Sequence, residues 1–149
     1  MKSYLLPGLL LGLVFCTNLK GEISIDGVLD EEEWQTAKKI NKFYEVYPYS
    51  LREVEDIKTE VLIYEDKKGM YFGFRNYQPR NTMRIKNHLR DEERSISDKN
   101  GVAIDFDGDG INAYQFFTSS SGSIGDSTIK DEKERNWDWD SDWNAETSI

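Results

Sequence analysis

Apolar and polar positions alternate most clearly in the middle of the chain. "TEVLIYE" and "MYFGFRNY" are rich in β-branched and aromatic residues, and Asp66 to Gly69 join them with a glycine free to take positive φ. Together they predict an antiparallel hairpin. In its second strand Phe72 and Phe74 point one way, toward a core. Tyr71, Arg75 and Tyr77 point the other, on a face that mixes ring surface with charge. A second hairpin is predicted from "GVAIDFDGDGINAYQFFTSSSG", where Val102, Ile104 and Phe106 alternate with Ala103, Asp105 and Asp107. Past its turn, Tyr114 and Phe116 alternate with Gln115 and Phe117. "SIGDSTI" reads as a short, weak strand and "KDEKERN" as a solvated loop. The last stretch, "NWDWDSDWNAETSI", alternates again and predicts a strand. Trp137, Trp139 and Trp143 lie on one side and Asp138, Asp140 and Asp142 on the other.

Toward the N-terminus the period changes. Ile23 and Ile25 suggest a short strand, and Asp26-Gly27 a turn. Asp30 is then a helix N-cap with Glu33 as capping-box partner, acidic residues following it and Lys38 and Lys39 at the far end. This predicts one short amphipathic helix anchored in the core by Trp34. "NTMRIKNHLRDEERSISDKN" is polar and irregular. The fold class is therefore all-β, an antiparallel β-sandwich of jelly-roll-like form with one short N-terminal helix.

Composition narrows the function. The chain has 149 residues, enough for one domain with a real core, and 13% of them are aromatic. Its formal net charge of −9 argues against nucleic acid and anionic membrane surfaces. A neutral ligand, a cation or a basic partner fits better. Lys2 and the apolar run Tyr4 to Phe15 predict an export signal over residues 1–21, since the run is too short to span a bilayer at about 20 residues. The expected location is the periplasm, the cell envelope or the exterior. Cys16 is the only cysteine, and lipidation there is the lesser reading because Phe15 occupies a position that wants a small residue. Without Cys16 the exported chain would have no thiol chemistry.

Two constellations carry candidate chemistry. "DFDGDG" places Asp105, Asp107 and Asp109 at the spacing of the first half of a calcium loop. The twelfth position is Phe116 instead of a bidentate glutamate, and the flanks are strand-like, so this is no EF-hand. A tight Asp-Gly hairpin turn is the preferred reading, with calcium as the alternative. The Trp/Asp stretch reads first as core, second as a sugar site and third as metal ligands. In a sugar site an indole stacks on a pyranose while carboxylates accept from its hydroxyls. His88 has no second histidine or cysteine with which to build a zinc site. No G-x-S-x-G, H-E-x-x-H or P-loop occurs, and nothing singles out a catalytic carboxylate pair.

"IDGVLDEEEWQTA", "TEVLIYEDKKGMYFGFRNYQP", "GVAIDFDGDGINAYQFFTSSSGSIGD" and "DWDSDWNAE" together resemble the family 9 carbohydrate-binding module-like domain. More narrowly, the chain resembles the form at the N-terminus of exported bacterial proteins whose long C-terminal part is predicted to form an outer-membrane β-barrel. The likeness covers residues 22–149. The resemblance implies a sandwich that binds an oligo- or polysaccharide without catalysis, serves polysaccharide catabolism beside a glycoside hydrolase, and carries calcium in some members. It also implies further strands after Ile149, so an open edge is expected where the domain stops. The candidate sugar contacts are Trp137 and Trp139, with Asp138 and Asp140 as hydroxyl acceptors and Arg75 and Arg90 as lesser candidates. The rival expectation is a cell-envelope domain that docks on a barrel and binds no glycan.

Overall fold

Seven strands form two antiparallel sheets in the computed structural model, which describes residues 21–47, 49–54, 58–92 and 96–149. The export signal and Cys16 lie outside the described residues. The first sheet has the order β1 (Lys38–Ile40), β2 (Lys58–Glu65), β3 (Met70–Tyr77). The second has the order β4 (Lys99–Ile104), β5 (Ala113–Ser119), β6 (Ile124–Lys130), β7 (Glu134–Asn136). Every neighbour in each sheet is antiparallel, as expected of an all-β, sandwich-like fold.

The β2–β3 hairpin is the predicted one, with Val61 opposite Phe74 and Ile63 opposite Phe72. Both of its faces are used. Leu62 packs with Ile23 and Trp34, and Leu29, Ala37, Tyr64 and Tyr71 close around them. Gly73 is the point of closest approach: a Cβ there would lie 2.9 Å from Leu29 Cδ1 and 3.2 Å from the Trp34 ring. The face that looked mixed in sequence is thus the floor beneath the N-terminal segment. Val61, Phe72 and Phe74 belong to the opposite face, toward the second sheet.

The N-terminal segment departs from expectation. Ile23 is buried but forms no strand. The helix is a single 3₁₀ turn at Glu32–Gln35, preceded by Glu31 and without a side-chain cap. Glu31, not Asp30, does the polar work. Its carboxylate accepts from Trp34 Nε1 and from the Ser24 backbone N–H, both at 2.7 Å. Burial alone would raise its pKa, but these donors more than offset that and hold it low. The helix stops because Lys38 to Ile40 pair with Ile63 to Val61, taking the residues a second turn would need.

In the second sheet β6 is no weak strand. It lies between β5 and β7, and Gly125, Asp126 and Ser127 are all buried. Phe117 lies across Gly125, where no Cβ would fit. Residues 134–136, expected as loop, form the exposed edge strand β7. The final stretch is not a strand: the chain turns at Trp137 and Asp138 and runs on without pairing. Its tail then returns to the start of the fold, where Ser148 Oγ donates to the Gly27 carbonyl at 2.7 Å. The sheets meet through side chains, Asn76 Nδ2 donating to Asn100 Oδ1 and Gln78 Nε2 to Asp98 Oδ2. A cleft of about 1230 Å³ remains between them, with Phe72, Phe74, Phe116 and Trp143 among its walls.

Candidate functional site

Consecutive strand residues face opposite ways, so Phe116 and Phe117 divide β5 into two aromatic faces. Trp137 joins the Phe117 face, edge-on at 5.9 Å between ring centres. Trp139 and Trp143 join the Phe116 face at 5.9 and 5.4 Å. The proposed pair Trp137 and Trp139 is therefore split across the sheet, and the expected single tryptophan side is corrected. The turn at Trp137 and Asp138 reverses the alternation that an unbroken strand would have kept.

On the Phe116 face the rings form a continuous series. Phe106 touches Tyr114 at 5.5 Å, Tyr114 touches Trp139 at 5.1 Å, and Phe116 links Trp139 to Trp143. Phe106 is 63% exposed and Tyr114 37%, while Trp139 and Trp143 are half-buried. Neighbouring planes are tilted by 58° and 55° at the exposed end. The strip is thus curved, and at Phe106, Phe116 and Trp143 it borders the cleft. β4 ends at Ile104, which releases Phe106 from the predicted alternation and leaves its ring in solvent.

Beside Trp139 lies a polar knot. Asp126 is fully buried, and its Oδ2 accepts from Trp143 Nε1 at 2.8 Å, Arg90 Nη2 at 3.0 Å and the Ser141 N–H at 3.1 Å. Arg90 also contacts Asp140 Oδ1 at 3.1 Å and Asp91 Oδ2 at 3.4 Å. Burial works against its charge, but Asp126, Asp140 and Asp91 outweigh that and raise its pKa. The structure therefore brings together Trp139, Asp140 and Arg90. Asp138 is exposed within the turn. Arg75 lies on the first sheet, donating to the Leu29 carbonyl at 2.8 Å, where it ties down the N-terminal segment.

Asp126, Asp91, Tyr114 and Phe106 were missed in sequence. Asp126 sits in "IGDSTI", where only an acidic residue inside a strand offered a signal. Tyr114 and Phe106 were read as ordinary alternation, because which rings stay exposed depends on the path of the tail.

The loop at Asp105 to Asn112 is longer than a tight turn, and its carboxylates serve its own backbone. Asp105 accepts from the N–H groups of Asp107, Gly108 and Gly110, and Asp109 from those of Ile111 and Asn112. The Gly110 and Asn112 bonds lead in lowering the two pKa values. Gly108 and Gly110 both take φ of +69°, a left-handed conformation that suits glycine. Asp105, Asp107 and Asp109 do not converge. Among the described residues the carboxylates that do are Asp91, Asp126 and Asp140.

Among the described residues no helix is long and apolar enough to cross a membrane. No family model, curated protein or solved structure matches the chain.

Proposed function

We propose that this chain is a non-catalytic carbohydrate-binding module of the family 9-like kind, acting outside the cytoplasm beside glycoside hydrolases in polysaccharide breakdown. The observation that carries the reading is the graded ring series Phe106, Tyr114, Trp139 on one sheet face. Rings half in and half out of water offer apolar faces to the C–H face of a pyranose. Asp140, with 73% of its side chain exposed, supplies a hydroxyl acceptor that Arg90 holds in place. The tilt between rings suits a twisted soluble chain better than a flat crystalline surface. The test is calorimetric titration of the full chain with xylo- and cello-oligosaccharides. Saturable binding that Tyr114→Ala weakens supports the module. Failure of both sugar series to bind, or binding indifferent to Tyr114, would count against it.

A second reading, a docking domain of the cell envelope, is favoured by residues 43–47 and 49–54. Phe43 and Val54, and Glu45 and Arg52, are joined by backbone hydrogen bonds into a small arm. Tyr47 is 94% exposed and Tyr49 77%, with Val46 and Leu51 beside them. Exposed aromatic clusters of this kind mark protein contacts. Tyr47→Ser with Tyr49→Ser would leave sugar titrations unchanged and abolish capture of a barrel partner.

A further inference from the structure

The face of β5 opposite the ring strip carries a pocket of its own. On that face Gly101, Phe117 and Gly125 stand side by side across three strands. The Phe117 ring lies over Gly125, which leaves the floor at Gly101 without a side chain. The resulting hollow of about 290 Å³ is walled by Lys99, Gln115, Phe117, Arg135 and Trp137. Small-molecule pockets begin near about 300 Å³, so this one has room for a single substituted ring and not for a chain of them.

Its chemistry is one-sided. Lys99 Nζ sits over the Phe117 ring, 4.7 Å from its centre, and donates to the Glu92 carbonyl at 3.2 Å. Arg135, on the edge strand β7, has no carboxylate partner among the described residues. Gln115 has its oxygen engaged by the Ser127 hydroxyl at 3.3 Å, so Nε2 is the group it offers. No carboxylate lines the pocket, although the chain as a whole carries a formal net charge of −9.

From this arrangement we infer that the pocket binds an aromatic carboxylate, its anionic end at Arg135, Gln115 Nε2 and Lys99 and its ring against Trp137. A planar carboxylate matches the fork of a guanidinium. Trp137 is half-buried and meets Phe117 edge-on at 5.9 Å, so it is fixed in place to receive a second ring. A sugar acid fits less well. Its hydroxyl hydrogens would need acceptors, and the polar side chains here are donors, so covering those hydroxyls would cost free energy. A bare inorganic anion would leave the rings unused. The site lies across the sheet from Phe106, Tyr114 and Trp139 and stands whether or not a sugar binds them.

The full chain would be titrated calorimetrically with cinnamate, and with cinnamamide, glucuronate and inorganic phosphate for comparison. Saturable binding of cinnamate is expected, with the uncharged amide, glucuronate and phosphate each at least tenfold weaker. Arg135→Gln, a change at an exposed side chain, should weaken cinnamate at least tenfold while leaving circular dichroism unchanged. Gln115→Glu, which sets a like charge where the donor was, should do the same. Tyr114→Ala, on the opposite face, should leave cinnamate affinity within twofold. No saturable cinnamate signal up to about 10 mM would overturn the proposal. So would glucuronate, phosphate or the amide binding as tightly as cinnamate, or unchanged affinity in both Arg135→Gln and Gln115→Glu. Loss of cinnamate binding in Tyr114→Ala would also overturn it, by placing the ligand on the ring strip.

Discussion

The division of β5 into two aromatic faces can be tested with one pair of substitutions, Trp137→Ala and Trp139→Ala. Both side chains are half-buried against a phenylalanine of the same strand, and Trp139 also touches Tyr114. Removing a half-buried indole takes away roughly 100–150 Å² of contact, worth about 2.5–4 kcal/mol with its ring-edge interactions. That overlaps the lower half of the ~3–5 kcal/mol typical for truncating a fully buried aromatic. Urea denaturation followed by far-ultraviolet circular dichroism should thus show similar losses for the two variants. Binding should separate them. Trp139→Ala removes a ring of the exposed strip and should weaken oligosaccharide affinity by tenfold or more, about 1.4 kcal/mol. Trp137→Ala changes the other face and should leave affinity within twofold. Trp139→Phe, which keeps an aromatic ring, should recover stability and part of the affinity. If Trp137→Ala abolishes binding while Trp139→Ala spares it, the sugar lies on the Phe117 face and the reasoning fails.

Gly125→Ala would place a Cβ 2.7 Å from Phe117 Cε2, and rings do not bend, so about 1–3 kcal/mol of stability should be lost in the same denaturation assay. A loss under about 0.5 kcal/mol would show that Phe117 can move aside. Gly27→Ala combines a φ of +79° with a Cβ 2.8 Å from the Ser148 N, so the tail should detach and its amides should exchange faster with solvent. Exchange unchanged at residues 144–149 would refute that anchoring. Asp105 and Asp109 have folded pKa values held below 3.8, chiefly by the Gly110 and Asn112 N–H groups. A depressed carboxylate pKa stabilises the folded state above the unfolded value, and the benefit disappears as pH falls through the folded one. The loop amides of Gly108, Gly110 and Asn112 should therefore shift together in an NMR titration below about pH 4. Independent midpoints near 3.8 would show that the bonds are not formed in solution.

Several elements were legible in the residues alone. The β2–β3 hairpin, its Asp66–Gly69 connection and the β4–β5 pairing follow from period-two patterning and turn chemistry, which are local. So does the burial of Trp34, whose apolar bulk dominates its neighbours. Helix length was not legible. Whether residues after Trp34 continue a helix or start a strand depends on β2, more than twenty residues away. The strength of β6 was hidden for a similar reason: glycine, aspartate and serine carry no apolar signal, and they are buried because strands close on both sides.

The aromatic and acidic tail marks the boundary most clearly. Its composition alone determined that rings and carboxylates would lie side by side, the chemistry of a sugar or a cation site. Which ring meets which face was decided by the turn at Trp137 and Asp138, and by the return of the tail to Gly27. Asp126 shows the same limit from the other direction. Nothing local distinguishes it from the chain's many surface acids. Only the packing of β6, Arg90 and the tail removes it from water, leaving one oxygen with three donors and the other with none. Patterning sets which side of a strand is apolar, whereas a site is made by segments far apart in sequence meeting in space.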